Sequence, residues 1–329
     1  MEGTAGGRSV LCSAVSPNSH ESTDEVPDIG APPQRLTVDV ETLRRLVAEQ
    51  FPQWSARPVA PVSKPGWDNR TFHLGDDLLV RLPSAAEYAL AVEKEHRWLP
   101  ELAERLPVPI PAPLGLGEPG AGYPFPWSVY GWLPGEAADR AATIDPSGLA
   151  EDVVGFLEAL QRIDATGGPQ PGVHNWFRGG TLRTFDPYAR GSLAKLDGHL
   201  DADLATAAWN DALAARWDGV DVWFHGDMAP GNLLLDGGRL TAVIDFGTCG
   251  VGDPSCDLAI AWTLLTRQGR RLLRERLDVD EPTWSRGRGW ALWKTLSNLA
   301  NAVEDGDEPE EREARRVVEA ILDDYRDAH

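Results

Sequence analysis

Residues 222–258 read VWFHGDMAPGNLLLDGGRLTAVIDFGTCGVGDPSCDL, and the rest of the chain is best understood outward from them. An apolar approach leads into His225-Gly226-Asp227, and Asn232 follows five residues after that aspartate. Two short apolar runs, 233–235 and 240–244, flank Asp236-Gly237-Gly238, which predicts a hairpin. The second run delivers the chain to Asp245-Phe246-Gly247. A hairpin closing between Asn232 and Asp245 brings both side chains to one cleft edge. Asp253-Pro254 reads as an N-cap and first helical residue, with Asp257 one turn further on, where it can fasten the preceding loop. Asp and Asn beside Gly are ordinarily turn formers, so each residue alone would be structural. Their joint order and spacing point to chemistry instead.

That order, His-x-Asp, Asn five residues on, then Asp-Phe-Gly, also marks the catalytic segment of protein kinases. There the first Asp meets the acceptor hydroxyl, and the Asn and last Asp hold Mg²⁺. Gly226 stands where that pattern has Arg. Phosphoryl transfer needs a carboxylate near the attacking hydroxyl and hard oxygen ligands for the metal that bridges the phosphates. Asp227 is therefore expected to orient or deprotonate the acceptor, and Asn232 and Asp245 to bind Mg²⁺. His225 is expected to be a hydrogen-bonded scaffold residue.

Upstream, Asp39 caps a predicted helix carrying Val40, Leu43, Leu46 and Val47. Strand-like runs at 58–63, 71–74 and 78–82, separated by Gly66-Trp67-Asp68-Asn69 and Gly75-Asp76-Asp77, imply a small antiparallel sheet. A helix over 86–106, stopped by Pro107, has the stripe Val92, Leu99, Leu102, Leu106. Glu95 lies in that stripe and Glu93 on the polar side; a buried Glu needs a partner. Two more strands are expected near 114–116 and 127–132, and Leu133-Pro134-Gly135 reads as a linker. Beyond it, helices are predicted from Asp145-Pro146 onward and at 187–199, 201–216, 254–275, 283–303 and 310–327. The fold class is α+β: residues 35–134 form a small β-rich N-lobe and residues 135–329 a larger helical C-lobe. Residues 1–34, rich in Gly, Ser, Pro and acids, read as a disordered tail.

The H-G-D-x-x-x-x-N and I-D wording resembles the aminoglycoside phosphotransferase family, the small-molecule branch of the bilobal protein-kinase-like fold. VRLP (80–83), VEKEHRWLPEL (92–102), LPVPIP (106–111) and WLPGE (132–136) extend the resemblance over roughly residues 36 to 325. It implies an ATP- and Mg²⁺-dependent O-phosphotransferase acting on a small hydroxylated molecule. Arg81 stands where that family has Lys, a departure that keeps the charge but fills space differently. Arg81 with Glu95 is the expected phosphate-orienting pair. Asn69 and nearby N–H groups would cover the phosphates, unless 63–71 is only a plain hairpin. Backbone groups of Gly131, Trp132 and Leu133 would meet adenine, with Tyr130 at the rear of the pocket.

Other features narrow the choice. A net charge of −20 repels phosphate backbones, argues against a nucleic-acid partner and suits a cationic acceptor. No apolar run approaches a membrane span, and residues 10–15 are too short for a signal-peptide core. Three cysteines, two close together, suggest reduced thiols and a cytoplasmic location. Gly115-Leu116-Gly117-Glu118-Pro119-Gly120 matches G-x-G-x-x-G literally, but no helix follows it, so it reads as a turn. No phosphate-binding P-loop motif and no G-x-S-x-G is present. For the acceptor, 304–311, with six acids in eight residues, is expected mainly as a solvated loop, and His174-Asn175-Trp176-Phe177-Arg178 as a possible pocket lining. An aminoglycoside or related antibiotic is the leading acceptor. Choline, homoserine, a sugar, a macrolide, or a catalytically silent nucleotide-binding module that docks a protein are the alternatives.

Overall fold

The computed structural model describes residue 27, residues 29–30, 32–63 and 66–329. Most of the expected N-terminal tail lies outside the described residues. The N-lobe begins with α1 (Val40–Gln50), whose cap is Asp39 accepting the Thr42 N–H at 2.7 Å. Strands β1 (Val59–Pro61), β2 (Asn69–Leu74) and β3 (Leu78–Pro83) follow, then α2 (Ala86–Ala103), β4 (Pro113–Gly117) and β5 (Trp127–Gly131). They make one antiparallel sheet in the order β1-β2-β3-β5-β4. Leu43, Leu46, Phe72, Leu74, Val80, Leu82, Trp127 and Val129 pack between α1 and the sheet as its own core. That core is what alternating apolar strands facing an amphipathic helix should bury.

Helix α2 ends at Ala103 rather than Leu106; Arg105 N–H turns back to the Leu102 carbonyl at 3.0 Å, closing the helix one turn early. Its stripe looks to the other lobe. Trp98, Leu99 and Leu102 join the large C-lobe core, and Trp98 meets Trp223 edge-on at 5.1 Å. The G-x-G-x-x-G segment is strand before it is turn. A Cβ on Gly117 would collide with the Trp127 indole, so packing demands this glycine, not a dinucleotide.

The C-lobe holds β6 (Glu136–Ala137), α3 (Pro146–Gln161), α4 (Asp186–Lys195), α5 (Ala202–Ala214) and β7 (Val222–Phe224). After these come the hairpin β8 (Leu233–Asp236) and β9 (Arg239–Val243), then β10 (Gly250–Gly252). Helices α6 (Ile260–Thr263), α7 (Arg267–Arg276), α8 (Glu281–Asp305) and α9 (Glu308–Ala328) complete it. The continuous helix expected over 254–275 is broken. A 3-10 segment Pro254–Ala259 passes into α6, and Thr266 then caps α7 by accepting the Gly269 N–H at 3.2 Å. Strands β6, β7 and β10 are two or three residues long, too short to show a period. The antiparallel pair β7 and β10 brackets the catalytic segment and holds its two ends together.

Candidate active site

Strand β7 ends at Phe224 and hands the chain to His225-Gly226-Asp227. Asp257 fixes this turn: its two carboxylate oxygens accept the N–H groups of His225 and Gly226, both at 2.7 Å. Burial pushes the Asp257 carboxyl up to about 7, although both N–H groups favour its charged form. Gly226 has φ +84°, and a Cβ there would stand 2.5 Å from the Thr248 carbonyl oxygen. No side chain fits, which explains glycine where protein kinases carry Arg. His225 is fully buried, with Nε2 3.0 Å from the Ile244 carbonyl and Nδ1 accepting the Asp227 N–H at 3.2 Å. Its geometry is that of a strut between the two halves of the segment.

Asn232 donates Nδ2 to the Asp227 carbonyl oxygen at 2.9 Å and to Asp227 Oδ2 at 3.2 Å, which leaves its Oδ1 without a partner among the described residues. Asp245 follows β9 in the left-handed region, φ 67°, a conformation unusual for a non-glycine residue. Asp245 Oδ1 accepts from Arg81 Nη2 at 2.6 Å, and the carboxylate is partly exposed. Arg81 Nη1 lies 3.5 Å from Glu95 Oε1, and Glu95 also accepts the Tyr130 hydroxyl. Glu95 is buried and Glu93 exposed, as their helical phase requires.

One cleft of about 490 Å³ is lined by Asn69, Arg81, Tyr130, Gly131, Trp132, Leu133, Asp227, Asn232 and Asp245. Glu95 stands behind Arg81 instead. Of the three linker N–H groups, Gly131 donates to the Ala112 carbonyl at 3.1 Å and Trp132 to that of Asp77 at 2.8 Å. Leu133 N–H has no partner among the described residues, which narrows the expected base-recognition edge to it. Asp68 lines the same cleft; burial and the Asp245 carboxylate push it up to about 6.

A second cleft of about 690 Å³ opens on the other side of Asp227, walled by Met228, Trp290, Trp293, Lys294, Glu310 and Glu313 among others. Asp227 and Gly231 line both clefts. Lys294, on α8, forms an ion pair with Asp227 Oδ1. Burial would raise the Asp227 carboxyl, but Lys294 and Arg178 outweigh it and hold the group down to about 2. The acidic 304–311 segment is not a loop. It closes α8, and Asp307 caps α9 by accepting the Glu310 N–H at 3.2 Å; only Glu310 reaches the second cleft. The 174–178 loop divides: Arg178 lines the second cleft, whereas His174 turns toward α2, its Nδ1 3.3 Å from Lys94 Nζ.

Sequence reasoning missed three side chains. Lys94 is buried and donates to the carbonyls of Gly247 and Cys249 at 2.7 and 3.0 Å, tying α2 to the loop after Asp245. Its only sequence signal was a lysine next to the apolar stripe. Lys294 lies 67 residues from Asp227 in sequence and had no motif around it. Arg286 makes a buried ion pair with Asp253 at 2.6 Å and also donates to the Arg216 carbonyl at 2.7 Å.

Among the described residues no group of three His, Cys, Asp or Glu side chains is gathered for a metal. Mg²⁺ is bound through one or two protein oxygens plus phosphates and water. The unpartnered Asn232 Oδ1 and the accessible Asp245 carboxylate, facing one cleft, fit such an ion.

Residues 59–290 match the phosphotransferase enzyme family. The chain belongs to that family. The chain is 40% identical over 62 residues to the aminoglycoside 3'-phosphotransferase of Streptomyces fradiae. The match takes in 18% of this chain and 19% of that enzyme, so the chain spans about a fifth of the length of the curated relative it matches. Its fold is similar to that of the GDP and kanamycin complex of APH(2")-IIia, with TM-score 0.66 and 20% identity over 86% of this chain and 98% of that one. It is also similar to a macrolide 2'-phosphotransferase from Brachybacterium faecium, with TM-score 0.53 and 21% identity over 85% and 97% of the two chains. The bilobal kinase-like fold expected from the sequence is the fold observed.

Proposed function

We propose that the chain transfers the γ-phosphoryl group of ATP to a hydroxyl of a small, amine-bearing molecule, most simply an aminoglycoside. The carrying observation is that two clefts meet at one carboxylate, Asp227. The nucleotide occupies the cleft under the sheet, its base against Leu133 N–H and its phosphates against Arg81, which Glu95 and Tyr130 hold in place. Asn232 and Asp245 hold Mg²⁺, which supplies charge neutralisation on the phosphate oxygens. The acceptor enters the second cleft, where Asp139 and Glu310 offer carboxylates to amines, Glu313 being held by Arg316, and Trp290 and Trp293 offer apolar walls. Asp227, held down to about 2, is a weak base. Its part is to accept a hydrogen bond from the hydroxyl and aim the oxygen at phosphorus, the positioning on which phosphoryl transfer chiefly depends.

Incubation with ATP and Mg²⁺ across a panel of aminoglycosides, macrolides and metabolic alcohols tests this. ADP release together with a phosphorylated aminoglycoside in the mass spectrum is expected. ADP release with a macrolide or a metabolic alcohol alone would replace the acceptor, and no transfer to any hydroxyl would contradict the reading.

A further inference from the structure

We propose that Arg178 and Lys294 form a two-cation clamp on the phosphoryl group as it passes from nucleotide to acceptor, a role that rests on the phosphotransferase reading above. Neither residue belongs to the 222–258 segment. Arg178 follows the short turn Val173–Asn175, and Lys294 sits on α8. Both line the acceptor cleft, and both converge on Asp227. Lys294 pairs with its Oδ1, while Arg178 Nε donates to the neighbouring Gly226 carbonyl at 3.0 Å.

Arg178 is the more telling of the two. Its guanidinium carbon lies 4.7 Å from the Trp293 ring centre, 5.5 Å from Phe185 and 5.6 Å from Trp290. This stacking fixes the fork in one orientation. Nη1 is buried with no hydrogen-bond partner, and no carboxylate is paired with the group among the described residues. Arginine does not shed its proton, so a guanidinium with a buried, unbonded nitrogen and only through-space charge, chiefly that of Asp227, against it is costly. Stacking on aromatic faces recovers only part of that cost. The arrangement is that of a site awaiting an anion. The nearest carboxylate, Asp227, is already bonded to Lys294. Arg178 lines the acceptor cleft and donates to Gly226, next to Asp227, the carboxylate at which the two clefts meet. In a phosphotransferase the anion that crosses this boundary is the phosphoryl group.

During transfer the acceptor oxygen forms a bond to the γ-phosphorus. The bond from that phosphorus to the β–γ bridging oxygen breaks, its electron pair leaving on the nucleoside diphosphate. The hydroxyl proton stays hydrogen-bonded to Asp227 until the new bond has formed and then passes to water. Charge spreads over the three equatorial oxygens of the moving group, where fixed cations count most. Arg178 and Lys294 meet those oxygens from the acceptor side, opposite Arg81. Neither contacts the α- or β-phosphate, so the diphosphate product is held without them.

Calorimetric titration with MgADP alone, and with MgADP plus fluoroaluminate as a mimic of the moving phosphoryl group, separates these roles. The wild-type chain should bind the mixture more tightly than MgADP. Arg178→Met and Lys294→Met should keep MgADP affinity and lose the fluoroaluminate gain, by about 10²-fold for a single lost donor. Arg178→Lys should restore part of it. Lys294 is half-exposed, so its variant tests the clamp even if Arg178→Met does not fold. Full retention of the gain in Lys294→Met, an equal loss of MgADP and fluoroaluminate binding, or no gain in the wild type overturns the clamp alone. No MgADP binding by the wild type overturns the phosphotransferase reading and the clamp with it.

Discussion

Arg81 Nη2 stands 2.6 Å from Asp245 Oδ1, so the cation proposed for phosphate and a carboxylate proposed for Mg²⁺ are direct partners. Under the proposed function Arg81 serves phosphate oxygens and Asp245 the metal from this shared position. Arg81 is only 14% exposed, so it is a largely buried cation set between the carboxylates of Glu95 and Asp245. That setting also explains how Arg serves where the resembled family has Lys, since a guanidinium has donors for Glu95 and for a second anion together.

Arg81→Ala should therefore raise the apparent KM for ATP with a smaller change in kcat, and Arg81→Lys should keep measurable activity. Steady-state kinetics at saturating acceptor checks both. A kinetically silent Arg81→Ala would remove Arg81 from the nucleotide site.

Lys94 binds two backbone carbonyls of the loop after Asp245. In Lys94→Met those oxygens lose their partner, which should cost about 1–3 kcal/mol. Amide exchange at residues 246–250 should quicken and the Mg²⁺ requirement of ATP binding should rise. Unchanged exchange there would mean the loop is held by other contacts.

Arg286 and Asp253 are both nearly inaccessible, at 6% and 4% of their side-chain surface. Removing one partner of such a pair leaves a buried charge, so Arg286→Met should lower stability by about 3–5 kcal/mol. Denaturant unfolding measures it. A loss far below that range would show that Asp253 finds compensation in the Ser255 hydroxyl and N–H it already accepts, at 2.8 and 3.0 Å.

Burial holds His225 below the usual histidine range of 6.5. The unfolded chain thus takes up the proton first as pH falls, so stability is lost below about pH 6.5 and stops falling once the folded histidine is also protonated. His96 and His174 are shifted the same way by burial and add to the slope. His225→Gln should flatten the dependence of melting temperature on pH between about 6.5 and 5. An unaltered slope would contradict the buried neutral His225.

Much of the fold was legible because its signals are local. Asp39 and Asp145 cap helices where their side chains predict, and the Asp236-Gly237-Gly238 turn closes the hairpin that carries Asn232 and Asp245 into one cleft. Helical phase alone separates buried Glu95 from exposed Glu93. What escaped is long-range. Lys294 on Asp227, Lys94 on the Asp245 loop and Arg286 on Asp253 are each one side chain reaching an element distant in sequence, and no spacing rule encodes such a reach. Strands β6, β7 and β10 exist through pairing rather than pattern. The break between α6 and α7 was hidden because Thr266 is an unremarkable residue until its hydroxyl is seen to cap.

The division of labour between Asp227 and Asp245 is the centre of the proposed function, and titration calorimetry of ATP with and without Mg²⁺ on two variants tests it most directly. Asp227→Asn is expected to bind MgATP nearly as the wild type does while turnover falls, about 10²–10⁴-fold. Asp245→Asn is expected to weaken Mg²⁺-dependent ATP binding and turnover together, because a neutral amide is a poorer ligand for a hard cation. MgATP binding lost in Asp227→Asn but intact in Asp245→Asn would reverse the two roles, and full activity in both variants would contradict phosphoryl transfer at this site.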